Sequence, residues 1–258
     1  MPKFSANLTM MFNEVDFLSR FERASKAGFK AVEYMFPFDW SKAQLVEALE
    51  KHGLKQVLHN LPAGDWAAGE RGIACLPGRE GEFQEGVGLA VEYAKALKCS
   101  RLNCLVGKIP QGIPSEKVHR TLVDNLRFTA DVLEKEGIRL LIEPLNSQDV
   151  PVFYLVRTRD AFQLIDEVNH PNLWLQYDIY HMQIMEGNLT KTILDNLSRI
   201  AHIQIADNPG RHEPGTGEIN FPNLFRSIDE AGYDGWIGCE YKPASITEEG
   251  LAWIKPYL

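Results

Sequence analysis

The chain has 258 residues, of which 27 are basic and 35 acidic, so its formal net charge is −8 at pH 7. An acidic protein repels the phosphate backbone of nucleic acids, which argues against a nucleic-acid partner. Hydrophobic residues make up 45% and charged residues 24% of the chain, as in ordinary globular proteins that bury a sizeable core.

Targeting signals and cysteines point to the cytoplasm. No apolar run approaches the roughly 20 residues that a membrane-spanning helix needs, so we expect no membrane contact. The first residues lack the basic segment and the following apolar stretch of a signal peptide. The cysteines form no Cys-x-x-Cys pair, and we interpret all four as reduced, structural thiols: Cys75, Cys99, Cys104 and Cys239.

Eight short runs of apolar or β-branched residues recur along the chain and are predicted to be strands. Several are almost continuously apolar, as is typical of parallel strands that are buried on both faces. The predicted strands are Phe4–Met10, Ala31–Phe36, Leu54–Asn60, Arg101–Val106, Arg139–Leu145, Leu173–Ile179, His202–Asp207 and Trp236–Tyr241.

Amphipathic stretches between these strands predict helices. Glycines lie where four of the helices would need a left-handed residue at the C-terminus, namely Gly28, Gly53, Gly137 and Gly232. The predicted helices are Asp16–Ala27, Ser41–His52, Glu80–Leu97, Ser115–Glu136, Thr158–Val168, Thr190–Ile200 and Pro222–Ala231.

This alternation of helix and strand predicts a parallel sheet. Eight units of about 32 residues each favour a closed (β/α)₈ TIM barrel, formed as one domain by residues 1–258. The alternative is an open, doubly wound sheet, which would want a glycine-rich phosphate loop after the first strand. Residues 7–12 read NLTMMF at that position and contain no glycine.

The longest irregular stretch is Leu61–Arg79, which follows the third predicted strand. A loop of this length is unusual unless it covers a site or is disordered. Its tryptophan and apolar residues favour an ordered lid. Because the loop follows a strand, it belongs to the C-terminal face, where the active sites of such barrels lie.

The last four predicted strands each carry a carboxylate or an amide near the C-terminal end: Glu143, Asp178, Gln204 and Glu240. Consecutive barrel strands aim these groups at one place. Carboxylate and amide oxygens are hard ligands that suit Mg²⁺ or Mn²⁺. Without a cation, three buried carboxylates would repel one another. The sequence therefore predicts a site for one divalent metal.

Each of these residues also has a simpler interpretation. Asp178 could cap a following turn, and Gln204 could be a core amide whose hydrogen bonds are satisfied. Glu143 and Glu240 are harder to dismiss, because an unpaired charge in an apolar strand is costly.

Further polar residues follow predicted strands and are candidates for substrate contacts: His59, Lys108, His181, Arg211 and Lys242. Either histidine could instead be packed in the core, and a basic residue after a strand is most often solvated. An arginine can bind a substrate carboxylate with two parallel hydrogen bonds. The polar, glycine-bearing segment 207–218 is a second candidate for substrate contacts.

At these residues the chain resembles the hydroxypyruvate isomerase family, within the wider xylose-isomerase-like barrels. The similarity runs along the whole length. It is most specific in residues 4–8 (FSANL), 58–66 (LHNLPAGDW), 142–144 (IEP), 176–181 (QYDIYH), 202–207 (HIQIAD) and 238–243 (GCEYKP).

The resemblance implies particular roles. Glu143 and Glu240 would be the paired proton donor and acceptor and also metal ligands, and Asp178 and Gln204 would complete the metal site. The implied reaction interconverts hydroxypyruvate and tartronate semialdehyde through an enediolate. Mg²⁺ is the expected metal, with Mn²⁺ as the alternative. The implied partner is a small hydroxy-carbonyl acid, and the sequence leaves a homo-oligomer open.

Four other functions are weighed against this one. 2-oxo-tetronate isomerases have the same fold and metal site, and residues 58–66 tilt the choice toward hydroxypyruvate. Related ketose epimerases carry a histidine where this chain has Gln204. Barrel-type endonucleases use several zinc ions and many histidines, whereas this chain has seven histidines. A non-catalytic sugar-acid binding protein would not need the four metal-site groups.

Overall fold

Eight parallel strands, hydrogen-bonded in chain order from β1 to β8, form a closed barrel in the computed structural model, which describes residues 1–257. The strands are β1 Lys3–Asn7, β2 Ala31–Glu33, β3 Lys55–Asn60, β4 Arg101–Cys104, β5 Arg139–Ile142, β6 Leu173–Asp178, β7 Ile200–Ile205 and β8 Trp236–Cys239. The predicted barrel is therefore confirmed. It excludes the open, doubly wound sheet, whose first and last strands would be unpaired edges.

The helices are α1 Phe17–Lys26, α2 Lys42–His52, α3 Glu80–Ala96, α4 Ser115–Lys135, α5 Thr158–Val168, α6 Ile179–Met185, α7 Leu189–Asn196 and α8 Phe221–Glu230. Short 3-10 segments follow at Leu197–Arg199 and Thr247–Tyr257. Seven of the helices were predicted. The exception is α6, which starts directly after β6, so no turn residues separate the two elements in the sequence.

Local sequence signals explain where several helices begin and end. Ser41 and Gln44 form a reciprocal capping box at the start of α2, which satisfies backbone donors that the first turn leaves unpaired. The four glycines that were predicted to be left-handed all have positive φ: Gly28, Gly53, Gly137 and Gly232. Only a residue without a Cβ adopts this backbone conformation at little cost.

Most predicted strands run past the observed ones at their C-terminal ends. The first, Phe4–Met10, ends at Asn7 in the structure, and the fifth, Arg139–Leu145, ends at Ile142. The residues beyond these ends stay largely buried, among them Leu8 and Leu145. Burial keeps the sequence apolar after the ladder stops, so the pattern alone cannot locate the end of a strand.

The contacts divide the chain into two compact units, one formed by residues 1–57 and 177–258 and the other by residues 58–176. We call them the terminal unit and the central unit. In the terminal unit β1 pairs with β2 and β8, and β7 pairs with β8. In the central unit β4 pairs with β3 and β5. That residues 1–258 form a single domain stays a prediction, and Leu258 lies outside the described residues.

The cysteines behave as predicted: Cys75, Cys99, Cys104 and Cys239 are all buried and free of disulfides. No helix within residues 1–257 combines the length and the apolar character that crossing a membrane requires.

Candidate active site

Glu240 lies one residue beyond β8, and its carboxylate is buried among donors of the terminal unit. Asn7 and Gln204 donate to Oε1 at 3.1 and 3.3 Å, and Arg211 donates to Oε2 at 2.6 Å. Burial raises the pKa of Glu240 to about 8, although Arg211 acts in the opposite direction. A pKa near the working pH suits a group that gives and takes a proton.

Asp178, the last residue of β6, uses its two oxygens differently. Oδ1 accepts a hydrogen bond from the Tyr180 backbone at 2.8 Å and so caps α6, as the simpler interpretation of this residue expected. Oδ2 has no hydrogen-bond partner in the described chain; it lies 3.5 Å from a ring nitrogen of His181 and 3.6 Å from the guanidinium of Arg211. Burial raises the pKa of Asp178, and Arg211 opposes the rise. One side chain therefore serves as helix cap and as buried charge.

Arg211 is the cation of this neighbourhood. It lies in the loop after β7, where it has a left-handed φ of 56°, and its guanidinium is 4.9 Å from the centre of the Tyr180 ring. The same group lies against Glu240 and Asp178. Burial and the charge of Arg211 keep the pKa of His181 well below its usual value, so that imidazole is neutral.

Asp207 organises the loop that carries Arg211. Its two carboxylate oxygens accept four backbone hydrogen bonds, from Asn208, Gly215, Gly217 and Ile219, at 2.8 to 3.1 Å. The Arg211 backbone N–H also donates to the Asp207 carbonyl. The segment that was predicted to make substrate contacts is thus built around one buried carboxylate.

Gln204, in β7, directs its amide nitrogen at two carboxylates. Nε2 donates to Glu33 at 2.7 Å and to Glu240 at 3.3 Å. The nitrogen is committed to these acceptors, so the carbonyl oxygen is the atom that Gln204 can offer to a metal ion. These hydrogen bonds agree with the interpretation of Gln204 as a satisfied core amide, and its role as a metal ligand stays a prediction.

Glu33, the last residue of β2, is a site residue that the sequence analysis overlooked. Its fully buried carboxylate also accepts hydrogen bonds from Ser5, Asn7 and His202 at 2.8 to 3.2 Å. Burial raises its pKa, but the charge and the hydrogen bonds of His202 and its other donors outweigh burial and lower it. Glu143 and Glu240 were identified as candidates because each is a glutamate in an apolar strand. The same pattern occurs at residues 31–34 (AVEY), which contain Glu33.

In the central unit, Glu143 is buried one residue beyond β5. Asn103, in β4, donates its amide nitrogen to Glu143 Oε2 at 2.9 Å and to Asn60 Oδ1 at 3.3 Å. Asn103 Oδ1 has no hydrogen-bond partner within residues 1–257. Asn60 and Asn103 are register partners on neighbouring strands, so the pairing of β3 with β4 sets this small amide network.

His59, near the end of β3, is fully buried. Burial lowers its pKa to about 4, although a hydrogen bond between Nδ1 and the Asn60 carbonyl, at 3.0 Å, acts in the opposite direction. The ring is neutral at physiological pH. It can donate a hydrogen bond to a substrate or accept one, but it supplies no charge.

The loop Leu61–Arg79 is tied to the central unit along its inner part. Gly72 comes so close to the backbone that an added Cβ would lie 1.8 Å from the Leu105 carbonyl oxygen, and Cys75 N–H donates to Val106. Lys108 donates to the Gly69 carbonyl at 2.8 Å. The loop is anchored as an ordered lid would be, and its role as a cover stays a prediction. Lys108 therefore holds this loop, and its contact with the substrate stays a prediction.

The remaining predicted substrate residue, Lys242, is exposed, and its backbone N–H donates to the Arg211 carbonyl at 2.8 Å. This bond ties the segment after β8 to the loop after β7. Lys242 thus holds the Arg211 loop through its backbone N–H.

Three buried side chains of the terminal unit form a cluster that can hold a metal ion. Asp178, His181 and Glu240 each offer one ligand atom, and these atoms lie within 4.8 Å of one another. Two observations favour a cation: Asp178 Oδ2 lacks a hydrogen bond, and the pKa values of Asp178 and Glu240 are raised by burial. A divalent ion would relieve both costs. The donor set therefore fits one metal.

Comparison with known proteins identifies the family. The model of the xylose isomerase-like TIM barrel family matches residues 21–257. The hydroxypyruvate isomerase of Escherichia coli K12 is 58% identical over 257 residues, with all of both chains covered. The 2-oxo-tetronate isomerase of Cupriavidus necator is 46% identical, with 100% of this chain and 99% of the relative covered.

Solved structures show the same barrel. A Brucella melitensis protein described as an AP endonuclease of family 2 is 47% identical and superimposes with a TM-score of 0.97, covering 100% of this chain and 99% of its own. D-psicose 3-epimerase from Clostridium cellulolyticum H10, at 19% identity and a TM-score of 0.77 over 100% of this chain and 92% of its own, shares the fold. The chain belongs to the xylose isomerase-like TIM barrel family and, within it, to the group that contains hydroxypyruvate isomerase and 2-oxo-tetronate isomerase.

Proposed function

We propose that this protein is a metal-dependent isomerase that interconverts hydroxypyruvate and tartronate semialdehyde. The observation that carries the proposal is the buried cluster of Asp178, His181 and Glu240 in the terminal unit, which fits a metal ion. The full-length similarity to hydroxypyruvate isomerase, at 58% identity, supports the choice of substrate. We also propose that the protein is cytoplasmic. The proposal allows either a monomer or a homo-oligomer.

The reaction moves a carbonyl group by one carbon. One C–H proton leaves C3 of hydroxypyruvate, and one proton is added to C2. The hydroxyl proton on O3 is lost and O2 gains one, so the two isomers have the same composition. The chain must therefore supply a base and an acid on neighbouring carbons of one substrate. Two carboxyl groups that exchange protons with the substrate meet this need without any external reductant or oxidant.

Glu143 and Glu240 would fill these two roles, in either order according to the direction of the reaction. The raised pKa of Glu240, about 8, favours the protonated form at neutral pH when no cation balances its charge. Asn103 donates to Glu143 and so orients that carboxylate.

The metal would be held by Glu143, Asp178, Gln204 and Glu240, and His181 adds a nitrogen donor to the same cluster. Three carboxylates and an amide oxygen favour Mg²⁺, with Mn²⁺ as the alternative. When bound, such an ion supplies positive charge that stabilises an enediolate and acidifies the adjacent C–H.

The substrate is a small hydroxy-carbonyl acid, and its carboxylate needs a cationic partner. Arg211 is the best-placed candidate, because its side chain is largely buried beside Glu240. The neutral imidazoles of His59 and His181 can hydrogen-bond to hydroxyl or carbonyl oxygens. The loop Leu61–Arg79, held by Lys108, would exclude water from the reactive intermediate. Lys242 is kept as a weaker candidate because it is exposed.

The alternative substrate is 2-oxo-tetronate, which the same chemistry would convert to 3-oxo-tetronate. Relatives with that name are 46% and 45% identical over the full chain. The substrate is one carbon longer and has the same 2-oxo acid end, so the metal and glutamate roles would be unchanged. The two activities differ only in the space and contacts beyond the reacting carbons.

Phosphodiester hydrolysis has less support, although a 47% identical structure is described as an AP endonuclease. The metal-binding cluster contains a single histidine, whereas sites with several zinc ions need more nitrogen ligands. The net charge of −8 also disfavours DNA. Related ketose epimerases carry a histidine at the position of Gln204. Epimerisation is therefore a minor alternative for this chain. A non-catalytic sugar-acid binder would not need the paired glutamates.

The deciding experiment measures turnover by metal-stripped protein after addition of Mg²⁺ or Mn²⁺, with hydroxypyruvate and 2-oxo-tetronate compared by kcat/KM. We expect metal-dependent turnover that favours hydroxypyruvate by at least about tenfold, since one added carbon in a fitted pocket costs on this order. A preference for 2-oxo-tetronate would move the protein to the sister activity. No turnover of either acid would refute the proposal.

A further inference from the structure

Glu33 stands apart from the groups that the proposed reaction uses. It is fully buried, it lies on β2, and nothing in the acid–base scheme assigns it a task. Yet its carboxylate touches Gln204 at 2.7 Å, and Gln204 is a proposed metal ligand. We propose that Glu33 is a positioning residue that fixes the amide orientation of Gln204, so that the carbonyl oxygen rather than the nitrogen is presented to the metal ion.

The register of the strands lets Glu33 reach Gln204 in the terminal unit. Gly238 on β8 pairs with Ser5 on β1 and with Gln204 on β7. A Cβ on Gly238 would lie 2.2 Å from Glu33 Oε1, so only glycine leaves room for the carboxylate. The φ of Gly238 is not in the left-handed region, and the requirement is one of space. The glutamate of β2 thus extends past β1 and β8 to the amide on β7.

The hydrogen bonds around Glu33 determine which end of the amide faces it. An ionised carboxylate can only accept hydrogen bonds, and its four partners are all able to donate: Ser5, Asn7, His202 and Gln204. Gln204 must therefore turn its NH₂ toward Glu33. An amide has its oxygen on the opposite branch, so this bond selects the oxygen for the metal.

The four donors around this carboxylate outweigh the desolvation cost of its burial. A buried carboxylate carries a large desolvation cost, and a neutral group of the same shape would avoid it. Only an ionised carboxylate accepts hydrogen bonds on all sides and donates none, so the oxygen of Gln204 is repelled from it. Outer groups of this kind orient metal ligands, and their loss commonly weakens metal binding 10- to 100-fold.

The test is a double-mutant cycle on the binding of Mn²⁺ alone to the metal-stripped full chain, followed by electron paramagnetic resonance of the free ion. It uses the wild type, Glu33→Gln, Gln204→Leu and the double variant. Glu33→Gln can present either an oxygen or an NH₂ to Gln204, so it no longer selects one orientation. We expect the Kd for Mn²⁺ to rise about 10- to 100-fold in Glu33→Gln. In the Gln204→Leu background the same substitution should change Kd less than about threefold, because Glu33 acts through Gln204.

A matched control separates positioning from general stability. Thr247→Val removes a fully buried hydroxyl that bonds to Phe12 and Glu14 in the terminal unit. It should lower the melting temperature and leave the Kd for Mn²⁺ unchanged. If Glu33→Gln does not fold, Glu33→Asp keeps the charge but shortens the reach, and it should show a smaller rise in Kd that is again absent in the Gln204→Leu background.

The inference rests on the metal site of the proposed function, and the readouts distinguish the two. A Kd in Glu33→Gln within twofold of the wild type overturns the positioning role, as does an equal effect in the Gln204→Leu background. Absence of Mn²⁺ binding to the wild type overturns both the role and the metal site. Failure to isomerise hydroxypyruvate, with the Mn²⁺ cycle as expected, overturns only the proposed substrate.

Discussion

The two proposed proton-transfer groups have the same side chain in contrasting surroundings. Glu240, in the terminal unit, has its pKa raised mainly by burial, and the charges of Arg211, Asp178 and Glu33 also act on it. Glu143, in the central unit, accepts its hydrogen bond from the neutral amide of Asn103. His59, in that same unit, is also uncharged. Glu240 thus accepts one of its hydrogen bonds from a cation, whereas the bond from Asn103 to Glu143 comes from a neutral amide, so the two glutamates should respond differently to substitution of these donors.

The largest effect is expected from removing either glutamate. Glu143→Gln and Glu240→Gln should each lower kcat by about 10²- to 10⁴-fold, because acid–base groups contribute on this order. Circular dichroism should show a folded barrel for both variants. Activity within tenfold of the wild type in one of them would remove that residue from the pair and leave a single carboxylate for both proton transfers.

Gly238→Ala is expected to displace the Glu33 carboxylate and so to destabilise the terminal unit. The added Cβ would approach Glu33 Oε1 to 2.2 Å, and such overpacking costs about 1–3 kcal/mol of unfolding free energy. Urea denaturation measures the loss. Gly88→Ala is the matched control, because this helical glycine in α3 has nothing within 4 Å, and alanine there should stabilise by about 0.5–1 kcal/mol. Equal effects of the two substitutions would show that Gly238 has no special packing.

His59 allows a pH test of the central unit. Its pKa is about 4 when folded, against about 6.5 for an unfolded histidine, so below pH 6.5 the unfolded chain binds the proton first. Stability should therefore fall as the pH drops from about 6.5 toward 4. Between pH 7 and pH 5 this residue accounts for a loss of about 2 kcal/mol, at 1.36 kcal/mol per pKa unit.

Urea denaturation of the wild type and of His59→Gln at both pH values isolates this contribution. The variant should lose less stability than the wild type over the same interval. If the two lose the same amount, the histidine is not held neutral by burial.

The smallest effect, and the one with opposite signs, is expected at Arg211. Arg211→Met removes a cation that lies 2.6 Å from Glu240 and 3.6 Å from Asp178. Mn²⁺ should bind several-fold more tightly, because a competing positive charge is gone. At saturating metal, kcat/KM should fall by about tenfold if the same group binds the substrate carboxylate. Calorimetry and steady-state kinetics measure the two changes, and weaker metal binding would contradict the competition.

Much of this architecture follows from the sequence, and the failures have physical causes. Strand and helix order, the left-handed glycines and the groups at the ends of β5 to β8 are all visible as local patterns. Asp178 caps α6 with Oδ1, as the simpler interpretation expected, and Oδ2 has no hydrogen-bond partner in the described chain, so its role as a metal ligand stays a prediction. Glu33 was overlooked because its role depends on register: it lies two strands from Gly238, and no local pattern links residue 33 to residues 204 and 238.

The loop after β3 has a consequence for how the protein can change. Its anchor is made of backbone contacts at residues 72–75, whereas residues 65–68 at the tip are exposed and bond mainly to residues 69–71 of the same loop. Lengthening a loop costs little free energy, about 0.6 kcal/mol for each doubling. A few residues inserted beside Ala67 would therefore leave the anchor intact. The protein therefore carries a segment whose length and composition can change while the backbone anchor at residues 72–75 stays as it is.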